Sequence, residues 1–509
     1  MNLRFVPTPL DAPIELPAPR EGGFDAGLAE AFWPSPALEE GLRRLRLPGA
    51  LAVTSGQQPG LFTGPLYTVY KALSTASLAR HLETRWGRPV VPIFWLAGDD
   101  HDFAEASLAS YIKADGTLAT VTLAPRPADA PLTPMYRQPL GEGVAAALES
   151  LATGIPPSEF RDETLDWLQR HYRPENTVAA SFAGAIAELL APFGIICFDS
   201  THPVTKRAAV PLLLEALRHA RQLDDDLDRY AEAHGVTART SGVTVGDGAS
   251  LVMLEASQGR DRLIRDGETF VTRRSKERYD LPALERIARE EPTRLSPNVL
   301  LRPVMESALL PTVAYLGGPG ELRYLALTPP VYERLGVPRQ RPLPRWSGVL
   351  VEPRVDRVLE KFGISLDDLS APAGALESRL VRSQLPAEGA AALTALRSAL
   401  EEGYGSLGTV AVAIDPTLER SIQGTLQQAL TGTQDAERKL VQHLKKRQET
   451  ELSQLGRVRT AILPGGKLQE RALTVAPFLA RFGRDLLAEL SSEMDRWYAG
   501  GLEGPPKPA

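Results

Sequence analysis

Between residues 50 and 96 the chain alternates two kinds of apolar pattern. Ala50–Val53 is a short continuous run, followed by a loop rich in glycine and proline. Leu66–Arg85 then repeats apolar residues at helical spacing: Leu66, Val69, Tyr70, Leu73, Ala76, Leu78 and Leu82. Val90–Leu96 is again continuous, the pattern of a strand buried on both faces. Pro92 must then lie near that strand's start, where a missing N–H is tolerated. Strand, loop, helix and parallel strand form a βαβ unit, whose crossover is right-handed. The pattern returns later. Val178–Leu190 predicts a helix, Gly194–Asp199 a strand, Pro203–His219 a helix and Thr312–Leu316 a strand. Glu321–Leu335 reads as helical with a break or kink at Pro329 and Pro330. A short helix is predicted over Ala37–Arg46 within an otherwise proline-rich, irregular stretch, residues 1–48. Ser107–Gly154 reads as short strands and turns, and Ser250–Phe270 as a hairpin. A parallel α/β sheet interrupted by insertions fits this order best.

From Val355 to Arg457 the pattern becomes helical throughout. Ile422, Leu426, Ala429, Thr433, Ala436 and Leu440 are spaced 4, 3, 4, 3, 4, the seam of a coiled coil. The antiparallel partner is expected near Glu388–Glu402, joined through Gly403–Pro416, with an ordinary helical hairpin as the competing reading. These patterns divide the chain into a core over residues 1–354 with insertions at about 104–160 and 240–300, a helical domain over 355–457, and a segment over 458–509 returning to the core.

Composition narrows the function classes. At 509 residues the chain exceeds one compact core, and its net charge of −6 argues against a nucleic-acid binder. The single cysteine, Cys197, excludes an intramolecular disulfide framework and a multi-cysteine zinc site; within GIICFDS it reads as a buried core residue. The N-terminus lacks a signal-peptide pattern, and no apolar run reaches membrane-spanning length, so a cytoplasmic location is expected.

Three loops follow strands and therefore share one edge of the sheet. The first, Gly56–Pro65, carries Gln57, Gln58, Gly60, Thr63 and Gly64. It is neither a GxGxxG nor a Walker A sequence. A tight turn explains the glycines but not two adjacent side-chain amides, which favour a ligand site. The second loop is Asp99-Asp100-His101-Asp102. Such a cluster can bind Mg²⁺, hold a substrate ammonium, or orient His101 as a base. A helix N-cap would need only one aspartate. The third is Gly317-Gly318-Pro319-Gly320-Glu321, with Arg302 and Glu306 just upstream. Gln57, Gln58, Thr63, Asp99, Asp100 and His101 are expected to converge in one pocket.

The stretches GQQPGLFTGPLYTVYK and PIFWLAGDDHDF resemble the bacillithiol biosynthesis cysteine-adding enzyme family. GIICFDS, RPVMESALLPTVAYLGGPGELRY and LPGGKLQERALTVAPFLARFG extend the resemblance over most of the chain. It implies a Rossmann-type core with connecting-peptide insertions and an α-helical coiled-coil domain used for homodimerisation. It also implies the last step of bacillithiol synthesis, joining the carboxyl of L-cysteine to the amine of glucosaminyl-malate. His101, Asp99 and Asp100 are then the candidate catalytic residues. Gln57, Gln58, Gly60, Thr63, Gly64, Tyr67, Lys71, Trp95, Asp102, Arg302, Glu306, Gly317, Gly318 and Glu321 are candidate substrate or nucleotide contacts. The core further resembles class I nucleotidyl-transferring ligases, which implies ATP or another adenine nucleotide; Mg²⁺ is a candidate from the aspartate cluster, and the single cysteine leaves no zinc site. The chain has neither a HIGH motif nor a clear KMSKS motif, and Gln57–Gly64 stands where HIGH would sit. Two other readings stay open: a Mg²⁺-dependent phosphate-binding transferase or hydrolase, and a nucleotide-binding coiled-coil protein without turnover.

Overall fold

The computed structural model describes residues 3–10, 12–372, 374–383, 386–447 and 449–503. Its centre is a five-stranded parallel sheet of β1 (Leu51–Gln57), β2 (Val90–Leu96), β3 (Ile196–Asp199), β4 (Thr312–Gly317) and β5 (Arg341–Pro344). The strand order is β5-β4-β1-β2-β3. The continuous apolar run of β2 has a direct cause: its alternate residues serve two cores. Val91, Ile93 and Trp95 pack with Leu213 and Ala216 of helix α3 (Pro203–Arg218). Phe94 and Leu96 pack with Val69 and Leu73 of helix α1 (Tyr67–Trp86) and Phe182 of helix α2 (Val178–Leu190). Each large apolar side chain so buried contributes roughly 1.5–3 kcal/mol. Pro92 is the third residue of β2, and pairing with β3 begins only after it, at Ile93.

From β1 the chain builds β2 and β3 on one side, then β4 and β5 on the other. The order therefore reverses between β1 and β4. In open α/β sheets, ligands bind beyond the strand carboxyl ends at such a reversal.

Several expectations change. Residues Ser107–Gly154 do contain a hairpin, Leu108–Ile112 with Leu118–Thr122, but Gly143–Gly154 is an α-helix. Its buried Val144, Ala147, Leu148 and Leu151 lie at helical spacing, a pattern distinct from the short strands that precede it. The hairpin Ala249–Ala256 and Gly259–Asp266 belongs to a five-stranded antiparallel sheet, completed by strands of three or four residues that leave little periodic signal. Glu321–Leu335 is two helices. Helix α5 (Pro319–Leu325) follows helix α4 (Arg302–Leu309) and strand β4; the next helix, Pro329–Arg334, starts on the two prolines, where a missing N–H costs nothing.

Contacts divide the described residues into two compact units, one within 3–350 and 467–503, the other within 351–466. The second contains helix α6 (Ala387–Ile414) packed along helix α7 (Leu418–Arg447). The connection is Asp415–Thr417, much shorter than Gly403–Pro416, because α6 continues through Gly403, Gly405 and Gly408. The 4-3 seam holds from Ile422 to the buried Thr433, then shifts: Ala436 and Leu440 are exposed, and Val441 is buried. There the helix Ala375–Arg382 also packs on α7, through Arg382–Glu437 and Lys445–Ser378, and turns a different face inward. Among the described residues no helix is long and apolar enough to cross a membrane.

Candidate active site

The loop after β1 makes a sharp return in which Phe62 and Thr63 take positive φ values of 49° and 71°. Non-glycine residues occupy that region only when neighbours enforce it. Here Tyr172 accepts the Thr63 N–H at 2.6 Å and donates to the Gly60 carbonyl at 3.1 Å, while Thr474 donates to the Phe62 carbonyl at 2.7 Å. A Cβ on Gly60 would come within 3.1 Å of Gly64 Cα, so these glycines allow the loop to close on itself.

That closure presents Gln57 and Gln58 to a cavity of about 390 Å³ at the β1/β4 reversal. Of the sequence candidates, the cavity gathers Gln57, Gln58, Tyr67, Lys71, Trp95, Asp99, Asp100, Arg302, Gly318 and Glu321. The others lie elsewhere. Gly60, Thr63 and Gly64 shape the loop behind the wall. Asp102 caps the helix Phe103–Ala106 by accepting from Glu105 N–H at 3.1 Å. Glu306 is fully buried under Arg302, and a Cβ on Gly317 would press Glu321 at 3.1 Å.

Charge is organised in pairs around the cavity. Lys71 Nζ meets Glu321 Oε2 at 2.7 Å and donates to the Gly56 carbonyl at 2.7 Å and Gln57 Oε1 at 3.0 Å. Burial lowers the Lys71 pKa against the pull of Glu321. Burial alone would raise Glu321, but Lys71, the Gly318 N–H and Tyr315 hold it below the usual carboxylate range. Lys206 neutralises Asp99 at 2.5 Å. Asp100 is different: its Oδ1 accepts the Asp102 N–H at 2.9 Å, and its backbone is tied to Ala97 and Met135. It is a fixed carboxylate with no cation bonded to it among the described residues.

The three aspartates thus serve three separate partners, and they do not fit a shared magnesium ion. Among the described residues no group of three or more His, Cys, Asp or Glu side chains could hold a metal.

His101 is the largest departure from expectation. It does not line the main cavity but a second one of about 200 Å³. Its Nδ1 stands 3.2 Å from Arg260 Nη1. A guanidinium can only donate, so Nδ1 accepts and the ring proton belongs on Nε2. Burial, then the Arg260 charge, lower the His101 pKa and keep the ring neutral at neutral pH. The lone pair a general base requires is already engaged.

Residues that sequence reasoning passed over complete the wall: Arg345 and Arg471, with Glu105, Arg260 and Asn298. Tyr67 has the cations of Lys71, Arg345 and Arg471 over its ring at 5.9, 5.7 and 5.9 Å. Such contacts are attractive. Burial pushes the Tyr67 hydroxyl up to about 12, so it stays protonated. Arg345 is clamped by Glu470, whereas Arg471 has no carboxylate partner among the described residues. Arg302 Nη2 and Arg345 Nε are buried without a hydrogen-bond partner. This donor set suits anionic groups, phosphates included. For Arg471 the signal was LQER in the C-terminal stretch, a cation directly beside an acid.

Cys197 is fully buried in β3, and burial pushes its thiol up to about 12. The native protein is expected to leave a colorimetric thiol reagent unreacted and to release one equivalent only in denaturant.

Two family descriptions match the chain. "Bacillithiol biosynthesis BshC, N-terminal Rossmann-like domain" covers residues 29–346, and "Bacillithiol biosynthesis BshC, C-terminal coiled-coil domain" covers residues 348–497. Similar curated proteins carry the name "Putative cysteine ligase BshC". That of Symbiobacterium thermophilum is 31% identical, over 89% of this chain and 84% of its own length. That of Solibacter usitatus is 31% identical over 95% and 89%, and that of Koribacter versatilis 34% identical over 91% and 85%.

Proposed function

We infer the reaction from the premise that the chain belongs to the bacillithiol biosynthesis BshC family and is a ligase. It forms the amide between the carboxyl of L-cysteine and the amine of glucosaminyl-malate, the last step of bacillithiol synthesis, in the cytoplasm. The observation that carries this reading is the polarity of the main cavity. Asp100 and Glu105 offer carboxylates to an amino-sugar ammonium, and Arg471, without a carboxylate partner among the described residues, suits anionic groups. Malate carboxylates and nucleotide phosphates both supply such groups. An adenine nucleotide, when bound, supplies activation of the cysteine carboxyl. The chain's own residues then orient the amine and remove its proton, for which Asp100 is the positioned carboxylate. Deleting the gene should leave cells with accumulated glucosaminyl-malate and no bacillithiol; an unchanged thiol profile would refute the assignment.

The helical unit supports a homodimer. Val410, Ile414 and Leu418 near its hairpin connection are 57%, 75% and 39% exposed, an apolar face that a second copy would cover. Val410→Glu with Ile414→Glu is expected to convert a dimer to a monomer in light scattering at micromolar concentration.

A further inference from the structure

The two cavities are neighbours. Arg260, Asn298 and Val299 line both, and the Arg260 side chain lies at the boundary. Three contacts fix it there: His101 Nδ1 at 3.2 Å, Ser296 Oγ at 2.9 Å and the Pro297 carbonyl at 2.7 Å.

At about 200 Å³ the second cavity falls below the roughly 300–1,000 Å³ of pockets for drug-sized ligands, so it suits neither a nucleotide nor an amino-sugar conjugate. Its lining has three chemistries. Leu227, Leu251 and Met253 are buried apolar residues, with 1%, 4% and 8% exposure. Asp224 contributes a carboxylate and Arg260 a guanidinium, while Asp247 and Arg262 face each other at 3.9 Å. Asp224 also receives the Gly246 and Gly248 N–H groups, each at 2.9 Å, which holds the loop carrying Thr244 and Val245 at the cavity. Both signs of charge beside a small apolar surface match a compact zwitterion with a short apolar side chain.

We propose that this second cavity binds the thiol amino acid, with Arg260 at the boundary holding its carboxylate toward the main cavity. The proposal rests on the ligase reading above and adds the means of selecting cysteine without zinc. A thiol gives up little on leaving water, whereas a hydroxyl beside Leu251 and Met253 would lose hydrogen bonds that these side chains do not replace. His101 then acts as a positioning residue that braces Arg260.

The test is calorimetric titration of L-cysteine, L-serine and glucosaminyl-malate, each into the intact protein and two variants. Ala249→Leu fills the cavity from its strand wall, and Thr244→Trp fills it from an exposed loop position that does not load the core. Both are expected to weaken cysteine by about tenfold or more while glucosaminyl-malate binding stays within about twofold. Serine should bind the wild type about tenfold more weakly than cysteine. Retained glucosaminyl-malate binding certifies the fold of each variant; should Ala249→Leu lose both ligands, Thr244→Trp decides. Unchanged cysteine affinity in Thr244→Trp overturns the proposal and leaves the ligase reading standing. A wild type that binds neither cysteine nor glucosaminyl-malate overturns both.

Discussion

Asp100→Asn is expected to lower turnover by roughly 10²–10⁴-fold, the usual scale for losing a positioned base. The substitution is nearly isosteric, and the asparagine Oδ1 can still accept the Asp102 N–H that fixes the loop at 2.9 Å. What disappears is the charge that holds an ammonium and takes its proton. Asp99 cannot replace it, being neutralised by Lys206 at 2.5 Å. Glu105 faces the cavity from a four-residue helix but is exposed. His101 has its acceptor nitrogen engaged by Arg260. Steady-state turnover with saturating substrates separates these groups. His101→Gln should retain far more activity than Asp100→Asn, and near-wild-type rates for Asp100→Asn would remove it from the reaction.

Arg345→Met is expected to destabilise the folded protein by about 3–5 kcal/mol, the cost of stranding the partner of a buried ion pair. Arg345 and Glu470 are joined by two parallel hydrogen bonds of 3.0 and 2.6 Å, with side-chain exposures of 2% and 5%. Without the guanidinium, Glu470 keeps, among the described residues, only longer contacts to Ser347 and the Gly348 N–H, both at 3.3 Å. Arg345→Met combined with Glu470→Leu should recover much of the loss, because the uncompensated charge is then gone. Urea unfolding curves of the two single variants and the pair measure this directly. Additive losses would mean that the two residues do not act as a pair.

The core was legible from local pattern because its causes are local. β1, α1 and β2 lie within 46 consecutive residues, and each advertises its burial by period: continuous for strands covered on both faces, helical for α1. Residues at the ends of such strands must meet at one sheet edge, which is why Gln57, Asp100 and Glu321 could be named beforehand. Local pattern failed where one pattern had two explanations. The 4-3 spacing carried Ala436 and Leu440 into the predicted seam, but the third helix against α7 moved burial to Val441. Charge pairing was the least legible layer. Lys206 reaches Asp99 across 107 positions, Arg345 reaches Glu470 across 125, and Arg260 reaches His101 across 159. No periodicity links such partners, since only the folded chain brings them within hydrogen-bond distance. The sequence by itself therefore determined which loops face the cavity. Tertiary structure decided which of their charges are already spent on one another, drew Arg471 into the wall beside Tyr67, and turned His101 away to the second cavity.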